Sequence, residues 1–103
     1  MALKVLLLRK KLTDMQTSLA DLERTAQGFE TREAELAADI EAAQTDEERS
    51  VVEDAVDAFE QERSKNTSDI AQLRTDIEDM ERQIREAEEA ARKARSGQGE
   101  PKD

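Results

Sequence analysis

The sequence predicts an all-α fold: two long helices as an antiparallel coiled-coil hairpin, copies of which can associate into a larger helical bundle. Three observations carry this. The 103 residues are 36% hydrophobic, 2% aromatic and 41% charged, with a net charge of −10, too few large apolar groups for a thick globular core. Of three Gly and one Pro, Gly97, Gly99 and Pro101 fall in the last seven residues, leaving Gly28 as the single helix breaker before them. Apolar residues recur at alternating steps of three and four, the spacing of a packed helix face.

The first helix is expected over about 2–43. Its seam runs through Val5, Leu8, Leu12, Met15, Leu19, Leu22, Ala26, Phe29, Glu33, Leu36, Ile40 and Ala43, with only Glu33 polar. A turn is expected at about 44–46. Continued past Ile40, the first seam would place Glu47 and Ser50 in the core, whereas the next seam extrapolates back to residue 49. A slip of two residues is about 200° around a helix, more than one straight coiled coil absorbs. The slip coincides with Thr45-Asp46-Glu47-Glu48, a Thr followed three residues later by Glu, as in a capping box. The second helix is expected over about 47–95. It carries Val52, Val56, Phe59, Arg63, Asn66, Ile70, Leu73, Ile77, Met80, Ile84, Ala87, Ala91 and Ala94, with Arg63 and Asn66 as exceptions. Residues 96–103 are expected to form a flexible tail of small and polar residues outside the hairpin.

If the chain reverses at the turn, facing residues share a sum of residue numbers near 92. Ile40 then faces Val52, Leu36 faces Val56, Leu22 faces Ile70, Leu19 faces Leu73, Met15 faces Ile77, Leu12 faces Met80 and Leu8 faces Ile84. The exceptions fall together: Glu33 opposite Phe59, Phe29 opposite Arg63 and Ala26 opposite Asn66. Glu33 would reach Arg63 diagonally, and the Arg63 stem would cover Phe29 while its head seeks water. This polar layer of Glu33, Arg63 and Asn66 reads either as tolerated edge positions or as a register key.

Charge is unevenly distributed. Residues 1–12 hold Lys4, Arg9, Lys10 and Lys11 and no acid, whereas residues 31–62 hold twelve acids against Arg32 and Arg49. That acidic middle repels phosphate backbones, so no direct nucleic-acid binding is expected. The longest apolar run, Val5 to Leu8, is too short to span a membrane or form a signal-peptide core. With no Cys and no His, thiol nucleophiles, the usual zinc sites and the ordinary neutral-pH general base are missing. Phosphate-loop, nucleophile-elbow and zinc-protease motifs are absent too, and the carboxylates follow helix-surface spacing. Catalytic residues, cofactors and a metal site are therefore not expected, and Asp46-Glu47-Glu48 would attract divalent cations only diffusely.

Leu3, Leu6 and Leu7 flank the seam residues Val5 and Leu8, making the apolar face wider than one partner helix needs. Three accounts remain open: a merely leucine-rich helix end, a self-association surface, or a membrane-surface helix supported by Arg9, Lys10 and Lys11.

Three stretches also carry a resemblance. They are Met1-Ala2-Leu3-Lys4 with Leu6-Leu7-Leu8-Arg9-Lys10-Lys11-Leu12, then Phe29-Glu30-Thr31-Arg32-Glu33-Ala34-Glu35-Leu36, then Val52-Glu53-Asp54-Ala55-Val56-Asp57-Ala58-Phe59-Glu60. Across roughly residues 1–90 the chain resembles the amino-terminal delta domain of tailed-bacteriophage major capsid proteins. The resemblance implies an internal scaffold that directs procapsid assembly within the host cytoplasm, partners capsid shell domains and its own copies, and is removed by the prohead protease before DNA packaging. Ser96-Gly97-Gln98-Gly99-Glu100-Pro101 would suit cleavage. The alternative is a coiled-coil adaptor or regulatory protein that binds a partner through the leucine-rich end.

Overall fold

Helix α1 runs Leu3–Ala42 and helix α2 runs Asp46–Gly99, joined by the three residues Ala43, Gln44 and Thr45. This computed structural model describes the backbone of residues 3–99 and the side chains of residues 3–95. Among the described residues there is no strand. The two-helix architecture expected from the seams is therefore present.

The turn begins where α1 runs out of apolar seam, and the chain leaves α1 with the Ala43 amide donating to the Asp39 carbonyl at 3.0 Å. No described residue takes a positive φ, so the turn needs no glycine cap. Thr45 starts α2: its Oγ1 accepts from the Glu48 amide at 3.1 Å, and its carbonyl accepts from the Arg49 amide at 2.9 Å. That is half of a capping box. The Glu48 carboxylate takes the Thr45 hydroxyl at 3.2 Å instead of the Thr45 backbone amide. Asp46, Glu47 and Glu48 occupy the first turn, where the positive end of the helix dipole favours carboxylates.

Helix α1 passes through Gly28 without a break, and a Cβ built there would meet nothing within 4 Å. Gly28→Ala is therefore expected to stabilise the protein by about 0.5–1 kcal/mol, through lost unfolded-state freedom alone. Urea melts followed by helical circular dichroism would read this as a higher midpoint at unchanged slope. A lower midpoint would mean that Gly28 serves a contact.

Two compact units are distinguished, residues 1–18 with 73–103 and residues 19–72. In the first, Leu8, Met80 and Ile84 form a buried cluster with Leu12, Met15 and Ala87 packed against it. Val5 is buried as well, and Leu73 and Ile77 are half-buried. Contact of Leu8 with Met80 and Ile84 requires α1 and α2 to pair side by side, and the Arg9 guanidinium reaches the Glu88 carboxylate across this pair.

In the second unit, Phe29, Phe59 and Asn66 are buried, while Leu19, Leu22, Leu36, Val52, Val56 and Ile70 are half-buried. Its cross-helix contacts join Phe29 to Phe59, Arg32 to Glu62, Glu33 to Arg63 and Asn66 to Leu22. The sums of these numbers scatter evenly on both sides of 92. The pairs summing to 88 and 96 are the diagonal neighbours that knobs-into-holes packing sets against each layer, and Arg32–Glu62 flanks the seam. Among the described residues no large side chain is completely buried, as expected where only two helices share a seam.

Two expectations are corrected. Ile40, read as core, is 55% exposed. It lies in the last turn of α1, so no further turn covers it, and it lines an open cleft together with Ala43 and Val52. The second helix, expected to end at about 95 with a tail from residue 96, continues to Gly99. Each residue added to an existing helix gains a hydrogen bond, and glycine costs only about 1 kcal/mol. Residues 100–103 of the expected tail lie outside the described residues.

Candidate functional site

Three surface features stand out, each within one unit. The first is the start of α1. Leu3, Leu6 and Leu7 are 69%, 60% and 55% exposed, although they stand at i, i+3 and i+4 on one helix face. Val5, between them in sequence, and Leu8, directly after them, are buried. The periodicity thus divides this stretch between a covered seam and an uncovered leucine face. Lys4, Lys10 and Lys11 are exposed beside it, and of the four bases only Arg9 has an ion-pair partner among the described residues.

The second feature is the expected polar layer, in the unit of residues 19–72. Phe29 and Phe59 meet edge to face, ring centroids 5.6 Å apart at 86°, the arrangement the ring quadrupoles favour. Arg63 pairs with Glu33, the diagonal the register predicts, but its guanidinium lies 5.0 Å over Phe59 and not over Phe29. Arg32, which the seam leaves aside, lies 5.7 Å from the Phe29 centroid and 5.2 Å from that of Phe59, and it bonds to Glu62 at 2.7 Å. Phe59 is consequently the most buried side chain described, at 3% exposure. Asn66 does not join the Glu33–Arg63 pair. Its Nδ2 donates to the Leu22 carbonyl at 3.1 Å, across to the other helix.

The third feature was not foreseen. At the turn end of the same unit, Ile40, Ala43, Val52 and Val56 line an open cleft of about 270 Å³. Val51, beside it, is 70% exposed. Asp39, Glu47, Glu48 and Glu53 border this apolar ground. Of the bases in this part of the chain, Arg49 also lines the cleft, and it is held by Asp46 at 3.5 Å. The signal was present in the doublet Val51-Val52: Val51 flanks a seam residue as Leu6 and Leu7 flank Leu8. Arg32 gave a similar signal, since a long side chain next to a seam position can wrap an aromatic pair.

Among the described residues no group of three or more acids or other ligating side chains is arranged to hold a metal ion, and no helix is long and apolar enough to cross a membrane. What the geometry offers is an exposed leucine face, an aromatic layer and an open apolar cleft. No family model matches the chain, and no curated protein or solved structure matches it either.

Proposed function

We propose that this protein is an assembly scaffold, an internal delta-type domain that gathers capsid shell subunits of a tailed phage into a procapsid. One observation carries the reading: Leu3, Leu6 and Leu7 are left uncovered on a helix whose neighbouring Val5 and Leu8 are buried. A helix pair that needs only a narrow seam and exposes a second leucine face has surface to spend on other subunits. The narrow face limits affinity per copy, and many weak contacts acting together give assembly that is cooperative yet reversible. The net charge of −10 would repel DNA entering a shell lined with such helices, which fits removal before packaging. The role is one of association and not of catalysis. The sequence resemblance points the same way, and genes for portal, protease and shell proteins beside this one are the expected genomic setting.

Replacing Leu3, Leu6 and Leu7 together by Gln is expected to abolish oligomers in sedimentation velocity while leaving helicity nearly unchanged, because Val5, Leu8 and Leu12 keep the seam. If the triple variant sediments like wild type at every concentration, the leucine face is not an association surface and the scaffold reading loses its support. An adaptor would instead hold a heterologous partner through this face, and the chain alone would stay monomeric.

A further inference from the structure

Resting on the reading of the leucine face as an association surface, we infer that its occupant is the turn end of a second copy of this chain, so that copies join leucine end to turn end. The leucine face of one copy must cover its apolar groups against something apolar. The turn end supplies it in Ile40 and Val51, 55% and 70% exposed, beside the cleft of Ala43, Val52 and Val56.

Charge then selects among the possible pairings. Residues 1–12 carry four bases and no acid, and Lys4, Lys10 and Lys11 have no ion-pair partner among the described residues. The turn end is bordered by Asp39, Glu47, Glu48 and Glu53 within a stretch of twelve acids and two bases, and both of those bases, Arg32 and Arg49, are already engaged by Glu62 and Asp46. Leucine end against leucine end sets Lys4, Lys10 and Lys11 against their own copies, and turn end against turn end sets Asp39, Glu47, Glu48 and Glu53 against theirs. Only the mixed pairing covers both apolar patches and sets opposite charges together. Like-charge juxtaposition across an interface costs enough to exclude partners, whereas opposite potentials steer and orient them. The contact is heterologous, since two different surfaces meet. Each copy in a pair therefore keeps one unused surface, and growth continues beyond the dimer unless the rotation closes a ring.

Two charge-reversed full-length chains test this by sedimentation velocity over a concentration series. One carries Lys4→Glu, Lys10→Glu and Lys11→Glu; the other carries Asp39→Lys, Glu47→Lys and Glu53→Lys. Either chain alone is expected to self-associate more than about tenfold more weakly than wild type, and an equimolar mixture to regain association, because each chain then meets a complementary surface on the other. The uncharged pair Ile40→Gln with Val51→Gln, at exposed sites where folding is not at stake, is expected to weaken association as well. If both turn-end variants associate like wild type, or if the mixture fails to recover, the leucine-to-turn contact is wrong. Should the leucine triple variant dissociate while the turn-end variants do not, the leucine face keeps its role and the turn end loses the one assigned to it. A leucine triple variant that still associates overturns the underlying reading itself.

Discussion

Phe59→Ala is expected to lower the unfolding free energy by about 3–4 kcal/mol, the largest loss from any single truncation in the chain. Truncating a buried Phe forfeits its transfer free energy and leaves a cavity, together about 3–5 kcal/mol in thick cores. A two-helix core can partly collapse, which places the loss toward the lower end. Phe59 also holds contacts that an aliphatic residue lacks. The edge-to-face contact with Phe29 contributes about 0.5–1.5 kcal/mol. The guanidiniums of Arg32 and Arg63 over its ring add about 0.5–1 kcal/mol each at such exposed edges. The ion pairs behind them are half in water, Arg63 and Glu33 being 45% and 61% exposed, and contribute at most about 1 kcal/mol.

Phe59→Leu separates these terms: it retains most of the apolar burial and loses the ring, so it should cost about half as much as Phe59→Ala. Small domains are stable by only about 5–15 kcal/mol, so the alanine variant should visibly shift the urea midpoint. A loss under about 1 kcal/mol would show that the aromatic layer does not hold this unit together.

Most of this layer was legible in the sequence, and the exceptions have physical reasons. Heptad spacing locates Phe29 and Phe59 on facing seams because burial follows the period of the helix. It also places Glu33 within diagonal reach of Arg63. It could not say which ring Arg63 covers, because a long flexible side chain chooses among neighbours less than a turn apart. Arg32 went unread for a related reason. It flanks the seam, and periodicity counts positions without regard to reach. Ile40 shows the opposite failure, since its position in the pattern is right and its exposure comes from standing at a helix end. Val51 is its counterpart across the turn. The leucine face was readable because three leucines beside an already complete seam exceed what one helix can cover. The exposed apolar residues at the turn end were hidden by the charge count, which drew attention to the acids and away from the Ile40 and Val51 they surround.

The polar layer contains a choice that the structure narrows. A register key is superfluous where only Ala43, Gln44 and Thr45 connect the helices, because so short a turn already fixes which residues face each other. Asn66 is nevertheless 7% exposed and donates to the Leu22 carbonyl. Its role is then local: a buried amide whose hydrogen bond makes its burial tolerable. Asn66→Asp tests this with almost no change of shape. The variant replaces a donor by a carboxylate oxygen facing a carbonyl oxygen, so an unpaired charge is buried at a cost of about 3 kcal/mol near neutral pH. Burial and the facing carbonyl both disfavour the charged form and raise the folded-state pKa of the introduced carboxyl above its unfolded value of about 3.9. The penalty is therefore small below about pH 4, where the acid is protonated in both states and its hydroxyl can donate to the Leu22 carbonyl. It grows as pH rises toward the folded pKa and is constant above it. Because acidification also relieves the net charge of −10, the quantity to follow is the difference in unfolding free energy between variant and wild type at each pH. Asn66→Leu should lack that pH dependence and match or exceed wild-type stability, since the Leu22 carbonyl keeps its intrahelical bond. A difference for Asn66→Asp that stays below about 1 kcal/mol and flat from pH 4 to pH 8 would mean that the new carboxylate has drawn in water or the Arg63 guanidinium, and that this position is an edge site and not a buried one.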